Sequence, residues 1–252
     1  MTLPEPAGAL VRACAEAVRP VAGVVGFYAG GSLATGDYHP GISDLDLVAL
    51  VEQPLTSSQQ AGLTGVHLDL MRSRPEAAKL HCFYVPLPDV ADVALPHVNW
   101  AHGELYRRPM SGVVRADLLR HGVTVLGPPP DELVPPVSDA DLAEAARAEL
   151  TGYWSGAVAK RHIWLEDVYV DLGLTTLARV EATLTDGSLI TKTEAIGRLG
   201  RFDVPPDLVQ EIAARRNGVD AQLSLAARSR RGALARRLVR AGIERLVGPA
   251  TG

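Results

Sequence analysis

Apolar residues run over 23–29 and again over 47–51, and the segment between them is polar, glycine-rich and irregular. Runs this short, bounded by turn residues, predict two buried strands rather than a helix. A third strand is expected over 80–86, where Leu80, Cys82 and Tyr84 alternate with His81, Phe83 and Val85. Helical spacing governs other stretches. Residues 1–19 place Leu10, Val11, Cys14 and Val18 on one face. Residues 55–74 read as a helix that Thr56-Ser57-Ser58 can cap and Pro75 ends. Residues 111–121 read as another, closed by Gly122, with a short strand at 123–126. Residues 89–98 are expected as a loop or short helix. The stretch 99–105 is polar and aromatic: either a surface loop with Trp100 tucked onto the core, or a segment that faces a substrate.

The clearest boundary lies at 127–138, where Pro128, Pro129, Pro130, Pro135 and Pro136 crowd together. Proline this dense cannot continue a helix or a central strand. Beyond it the period changes to helical, over 139–160, 167–185, 191–200, 206–216 and 230–247, with turn signals at Asp186-Gly187 and Asn217-Gly218. The chain therefore divides into residues 1–137, which alternate strand and helix, and 138–252, which are helical. No internal repeat is present.

Composition narrows the classes. The 252 residues are 47% hydrophobic, enough for a sizeable core, and no run is long and apolar enough to span a bilayer. Glu5, Arg12, Glu16 and Arg19 exclude a secretory signal over the first helix. Cys14 and Cys82 lie in no metal spacing and read as reduced, buried thiols, which points to a cytoplasmic protein. A net charge of −4 argues against a nucleic-acid polymer as partner. The arginine-rich last helix, with Arg228, Arg230, Arg231, Arg236, Arg237, Arg240 and Arg245, reads as a solvated face; a nucleic-acid patch is the alternative.

The chemistry gathers between the first two strands. Asp44 and Asp46 stand two apart on the second strand, so both carboxylates share a face, while Leu45 and Leu47 point to the core. Paired carboxylates repel and raise one another's pKa unless a cation lies between them. Hard oxygen ligands facing a glycine turn with a hydroxyl suit Mg²⁺ held together with substrate phosphates. The alternative is a plain turn beside a solvated edge strand.

Gly30-Gly31-Ser32, a loop of about a dozen residues, then Ser43-Asp44-Leu45-Asp46-Leu47 between apolar runs resembles the nucleotidyltransferase signature of the DNA polymerase β superfamily. The resemblance implies an α/β (α+β) nucleotidyltransferase domain with a short mixed sheet, then an all-α helical bundle, the site lying in the cleft between them. It implies that Gly31 and Ser32 hold the outer phosphates of a nucleoside triphosphate and that Asp44 and Asp46 hold the metals. The order of the parts, with Leu177-Ala178-Arg179 and Thr191-Lys192-Thr193-Glu194-Ala195, is similar to the aminoglycoside 3''-adenylyltransferases. By that resemblance Arg179 and Lys192 reach the nucleotide. Lys192 is one of three lysines in the chain, so codon bias did not place it.

Two departures matter. Where the family has a glutamate, the third metal ligand and general base, this chain has His81. Imidazole suits Mn²⁺ or Zn²⁺ better than Mg²⁺, and a neutral His81 could serve as the base. The neighbouring carboxylates are expected to favour its protonated form. Alternatively Glu104 or an acid of the helical part supplies the missing charge. The segment that meets the antibiotic in the family is also longer here. Glu166, Asp167 and Asp171 stand near its acidic position, and with Trp100 and Glu104 they are the candidate acceptor contacts. The expected function is transfer of a nucleoside monophosphate, AMP from ATP, to a hydroxyl of a small molecule such as an aminoglycoside, by a monomer using Mg²⁺ or Mn²⁺. Rival readings are a nucleotide-binding pseudoenzyme and a protein-modifying nucleotidyltransferase.

Overall fold

The structure, a computed structural model, describes residues 2–220 and 222–248; Met1, which opens the first expected helix, Ala221 and residues 249–252, at the end of the expected helical domain, lie outside them. The chain forms two compact units, residues 1–137 and 138–252.

The first unit opens with α1 (Ala7–Ala22), whose Leu10, Val11, Cys14 and Val18 are all buried. It leads into β1 (Val24–Ala29), a short helix α2 (Gly31–Thr35), β2 (Leu45–Val51), α3 (Ser57–Ser73), β3 (Leu80–Pro86), β4 (Pro96–Ala101), β5 (Glu104–Pro109), α4 (Gly112–His121), β6 (Val123–Leu126) and one turn of helix, α5 (Pro130–Leu133), within the proline-rich boundary. Thr56 and Gln59 cap α3 reciprocally. The strands form one six-stranded sheet in the order β5-β4-β3-β2-β1-β6. Only the β2–β3 pair is parallel, so the sheet is mixed.

Strand alternation sorts the core into two layers. Leu45, Leu47, Ala49, Leu80, Cys82 and Tyr84 pack with α1 and with Leu63 of α3. Val48, Leu50, Phe83 and Val85 pack on the other face with Leu118 of α4. Asp46 and His81 belong to this second face, at the ends of their strands where the apolar cover stops.

Of the loop or short helix expected over 89–98, residues 90–95 are turns and irregular structure as expected, while 96–98 and the polar stretch over 99–105 belong to the β4–β5 hairpin. Its turn is His102-Gly103, both at positive φ (56° and 85°), as a two-residue hairpin requires. The pattern hides it because β5 is an edge strand with mostly polar, exposed side chains. Trp100 of β4 is buried and stacks on His67 of α3, with ring centroids 4.4 Å apart.

His67 itself carries a pH prediction. It is fully buried, with Nε2 2.7 Å from the Tyr84 hydroxyl. Burial pushes its pKa from 6.5 down to about 3. Between those values the unfolded chain binds a proton that the folded chain refuses. Stability therefore falls as pH drops through the window, at up to about 1.4 kcal/mol per pH unit. Urea unfolding of wild type and His67→Phe at several pH values across it should give a flatter dependence for the variant. Equal slopes would mean that His67 is not held neutral.

The second unit contains α6 (Asp139–Glu149), α7 (Ser155–Ala159), α8 (Asp167–Asp186), α9 (Lys192–Arg198), α10 (Pro206–Arg216) and α11 (Leu225–Val247). Ser138 and Asp141 cap the first of these reciprocally. A turn of π-helix at Leu150–Trp154 joins α6 to α7, so the single helix expected over 139–160 has a widened turn inside it. Helix α11 packs on α8, where Gly242 leaves room for Leu177.

Candidate functional site

The site lies at one end of the sheet in the first unit. There the end of β1, the starts of β2 and β3, and the tip of the β4–β5 hairpin come together. The Gly30 N–H donates to the Asp46 carbonyl over 2.8 Å, which ties the turn to β2. Gly31 is glycine for two physical reasons. Its φ is +56°, and a Cβ there would come within 2.5 Å of Asp46 Oδ2. The glycine turn with a hydroxyl expected here is the short helix α2. Its end at Gly36 (φ +76°) lets the Gly36 and Asp37 amides both donate to the Ser32 carbonyl. Ser43 is buried, and its hydroxyl accepts from the His39 N–H at 3.1 Å, closing the loop that delivers Asp44.

Asp46 and His81 are direct neighbours in the parallel β2–β3 register. The His81 Nδ1 is 4.0 Å from Asp46 Oδ1, and Lys79 Nζ is 3.6 Å from Asp44 Oδ1. His102, at the hairpin tip, meets His81 edge to face at 4.8 Å between ring centroids. The expectation of a protonated His81 is corrected. Burial lowers its pKa and outweighs the raising effect of Asp44 and Asp46, with His102 and Arg108 adding to the fall. The imidazole is therefore a neutral group, able to accept a proton or to lend a lone pair. Among the described residues no group of three or more His, Cys, Asp or Glu side chains is close enough to hold a metal ion as the structure stands; Asp46 and His81 are the nearest pair of oxygen and nitrogen donors here.

The candidate acceptor contacts fare differently. Trp100 is a core residue, because its ring is covered by His67 and the α1–α3 layer, so it cannot face an acceptor. Glu104 is exposed at the start of β5, next to the hairpin turn. In the second unit, Glu166 is exposed just before α8. Asp167 and Asp171 hold arginines instead. The Arg215 Nε and Nη2 donate to the two oxygens of Asp171 at 2.9 and 2.6 Å. Arg231 bonds to Asp167, and to Glu211 at 2.5 Å. Both arginines are buried, and a buried guanidinium needs its carboxylates. These two acids are committed to the fold, which corrects their assignment to the acceptor. Three arginines of α11 are likewise engaged within their unit. Besides Arg231, Arg236 donates to the Val158 carbonyl at 3.1 Å, and Arg245 pairs with Glu181 at 2.5 Å.

Arg179 and Lys192 belong to one neighbourhood. The Arg179 Nε donates to the Ile190 carbonyl at 3.1 Å, two residues before Lys192, which opens α9 behind the Thr191 cap. Glu149 lies close enough to Arg179 that the guanidinium opposes the rise in pKa caused by its burial.

Sequence reasoning did not find Asp117 and His121 of α4. Asp117 Oδ2 accepts the Gly31 N–H at 3.0 Å, and His121 Nδ1 lies 3.0 Å from Asp117 Oδ1. The available signal was their spacing, four apart on the helix that precedes β6, which pairs with β1. The Gly31 amide is thus engaged by Asp117, and its backbone shape is what the turn requires of it.

Residues 11–89 match the family described as "Nucleotidyltransferase domain". That span covers the turn, both aspartates and His81. No curated protein matches the chain. Among solved structures the chain is similar to spectinomycin adenyltransferase AAD(9) from Enterococcus faecialis, determined with ATP and spectinomycin. The TM-score is 0.69 and the identity 14%, over 92% of this chain and 98% of that one. The likeness shows the fold over nearly the whole chain: a mixed-sheet unit that carries the matched nucleotidyltransferase domain, followed by a helical carboxyl-terminal region.

Proposed function

We propose that this chain transfers a nucleoside monophosphate, AMP from ATP, to a hydroxyl of a small polar acceptor. The observation that carries the reading is the convergence of the Gly30–Ser32 turn, Asp44, Asp46 and His81 at one end of the sheet. The matched domain and the likeness to a structure holding ATP and spectinomycin support it.

In this reading the acceptor oxygen forms a bond to the α-phosphorus and the bond to the pyrophosphate oxygen breaks, while the acceptor proton goes to a base. Ser32 steadies the β and γ phosphates. Asp44 and Asp46 hold a divalent cation, which when bound neutralises phosphate charge and polarises the α-phosphate. His81, kept neutral by burial, accepts the proton or adds a nitrogen ligand. An aminoglycoside is the first acceptor to try, on the strength of the neighbour's spectinomycin, with Glu104 the exposed acid of the first unit available to meet its cationic groups.

Pyrophosphate release from each nucleoside triphosphate, with and without a panel of amino-sugars, tests the proposal. Release that depends on the acceptor supports it. Nucleotide binding without release would favour the pseudoenzyme, which the replacement of a carboxylate by His81 makes the strongest rival.

His81 gives a separate prediction. His81→Glu should raise the affinity for Mg²⁺ relative to Mn²⁺ by about tenfold, because a hard oxygen replaces a nitrogen. Titration calorimetry of each cation into the nucleotide-free protein reads this without any turnover. If His81→Glu and His81→Ala both bind the two cations as wild type does, His81 is only a strand residue.

A further inference from the structure

We propose that Asp117 and His121 of α4 are a positioning pair that sets the conformation of the phosphate-side turn; the inference rests on the nucleotidyltransferase reading above. The first N–H groups of a helix have no partner within it, and that of Gly31 opens α2. Here it donates to a carboxylate that comes from another element, Asp117 Oδ2, at 3.0 Å. The same oxygen would lie 3.6 Å from a Cβ on Gly30, so Asp117 walls both glycines of the turn. His121, one helical turn on, holds the other oxygen at 3.0 Å. The platform beneath is firm: Ser111 caps α4 and Leu118 is buried in the core.

The consequence is directional. A glycine at φ +56° has a free choice of conformations, and an unpaired amide would leave it to sample them. A bond to a charged acceptor fixes the Gly31 peptide plane. It thereby fixes where Ser32 stands. Asp117 thus acts on the nucleotide through the turn and does not touch it. His121 holds the carboxylate in the rotamer that reaches Gly31.

The test uses the full-length protein and two readouts. The first is the calorimetric affinity for ATP with Mn²⁺ or Mg²⁺, set beside the KM of the best acceptor. Asp117→Ala should weaken nucleotide binding about tenfold or more, the range expected for a lost bond to a charged group. The acceptor KM should stay within about twofold. Asp117→Asn keeps an oxygen for the Gly31 N–H and should restore most of the affinity. The second readout is amide hydrogen exchange of residues 30–36 in the nucleotide-free protein, which should quicken in Asp117→Ala and not in Asp117→Asn. His121→Phe leaves Asp117 in place and should shift both readouts in the same direction by less, so the pair stays testable even where Asp117→Ala fails to fold. A wild type that binds no nucleoside triphosphate overturns the nucleotidyltransferase reading. A wild type that binds, with variants matching it in affinity and exchange, overturns the pair alone. Weaker binding with unchanged exchange would put Asp117 on the nucleotide itself and would equally overturn the positioning role.

Discussion

Asp44→Asn and Asp46→Asn are each expected to cut transfer by about a thousandfold, the scale seen when one preorganised electrostatic contact to a transition state is removed. The fold should survive both changes. Asp44 is partly exposed, and Lys79 stands 3.6 Å from it, a surface pair worth at most about 1 kcal/mol. The Asp46 backbone carbonyl, not its carboxylate, receives the Gly30 N–H, so the tie between turn and strand persists in the amide. Removing one of two neighbouring like charges also relieves repulsion. The variants should therefore unfold at or near the wild-type midpoint while losing cation affinity and pyrophosphate release together. A variant that keeps wild-type turnover would show that the cation is held elsewhere. One that loses turnover only because it unfolds would leave these aspartates as structural residues.

Gly31→Ala carries the second large effect, expected as a drop of about a hundredfold in transfer. It is strained twice. An alanine resists φ +56°, and its Cβ would press within 2.5 Å of Asp46 Oδ2. Either Asp46 swings off its position or the turn moves, and a shift of about 1 Å at a reacting centre is enough for such a loss. Gly36→Ala is the internal comparison. It has φ +76° but nothing within 4 Å of the added carbon, so it carries the backbone strain without the contact. Its stability should fall by about 1 kcal/mol. Its cation affinity should stay close to wild type, whereas that of Gly31→Ala should fall. Equal losses in the two variants would mean that backbone strain alone, not the approach to Asp46, requires glycine at position 31.

Much of the layout is legible from residue pattern. The strands over 80–86 and 123–126 and the helix over 206–216 match the expected spans, because their signals are local: apolar runs in the strands, Gly122 before the second of them, and the Asn217-Gly218 turn after the helix. The β4–β5 hairpin is not legible, since an edge strand shows no apolar face and its ladder forms with a partner. Trp100 illustrates the same limit. An aromatic in a polar stretch fits either a surface or a core, and only the position of His67, on a separate element, decides it. The acidic trio at the start of α8 misleads for a related reason. Arg215 and Arg231, which claim Asp171 and Asp167, come from α10 and α11. The protonation of His81 escapes a sequence reading because the two carboxylates are visible there, while the burial that outweighs them depends on the packing around β3.

In the proposed reaction the α-phosphate of a nucleoside triphosphate is the group transferred. The most direct measurement follows ATP labelled at the α-phosphate, incubated with wild-type protein, a divalent cation and the best acceptor. Label is expected on the acceptor, with one pyrophosphate for each labelled product, and neither should form with Asp46→Asn. Label remaining on ADP, with the γ-phosphate released or moved to the acceptor, would contradict the proposed transfer.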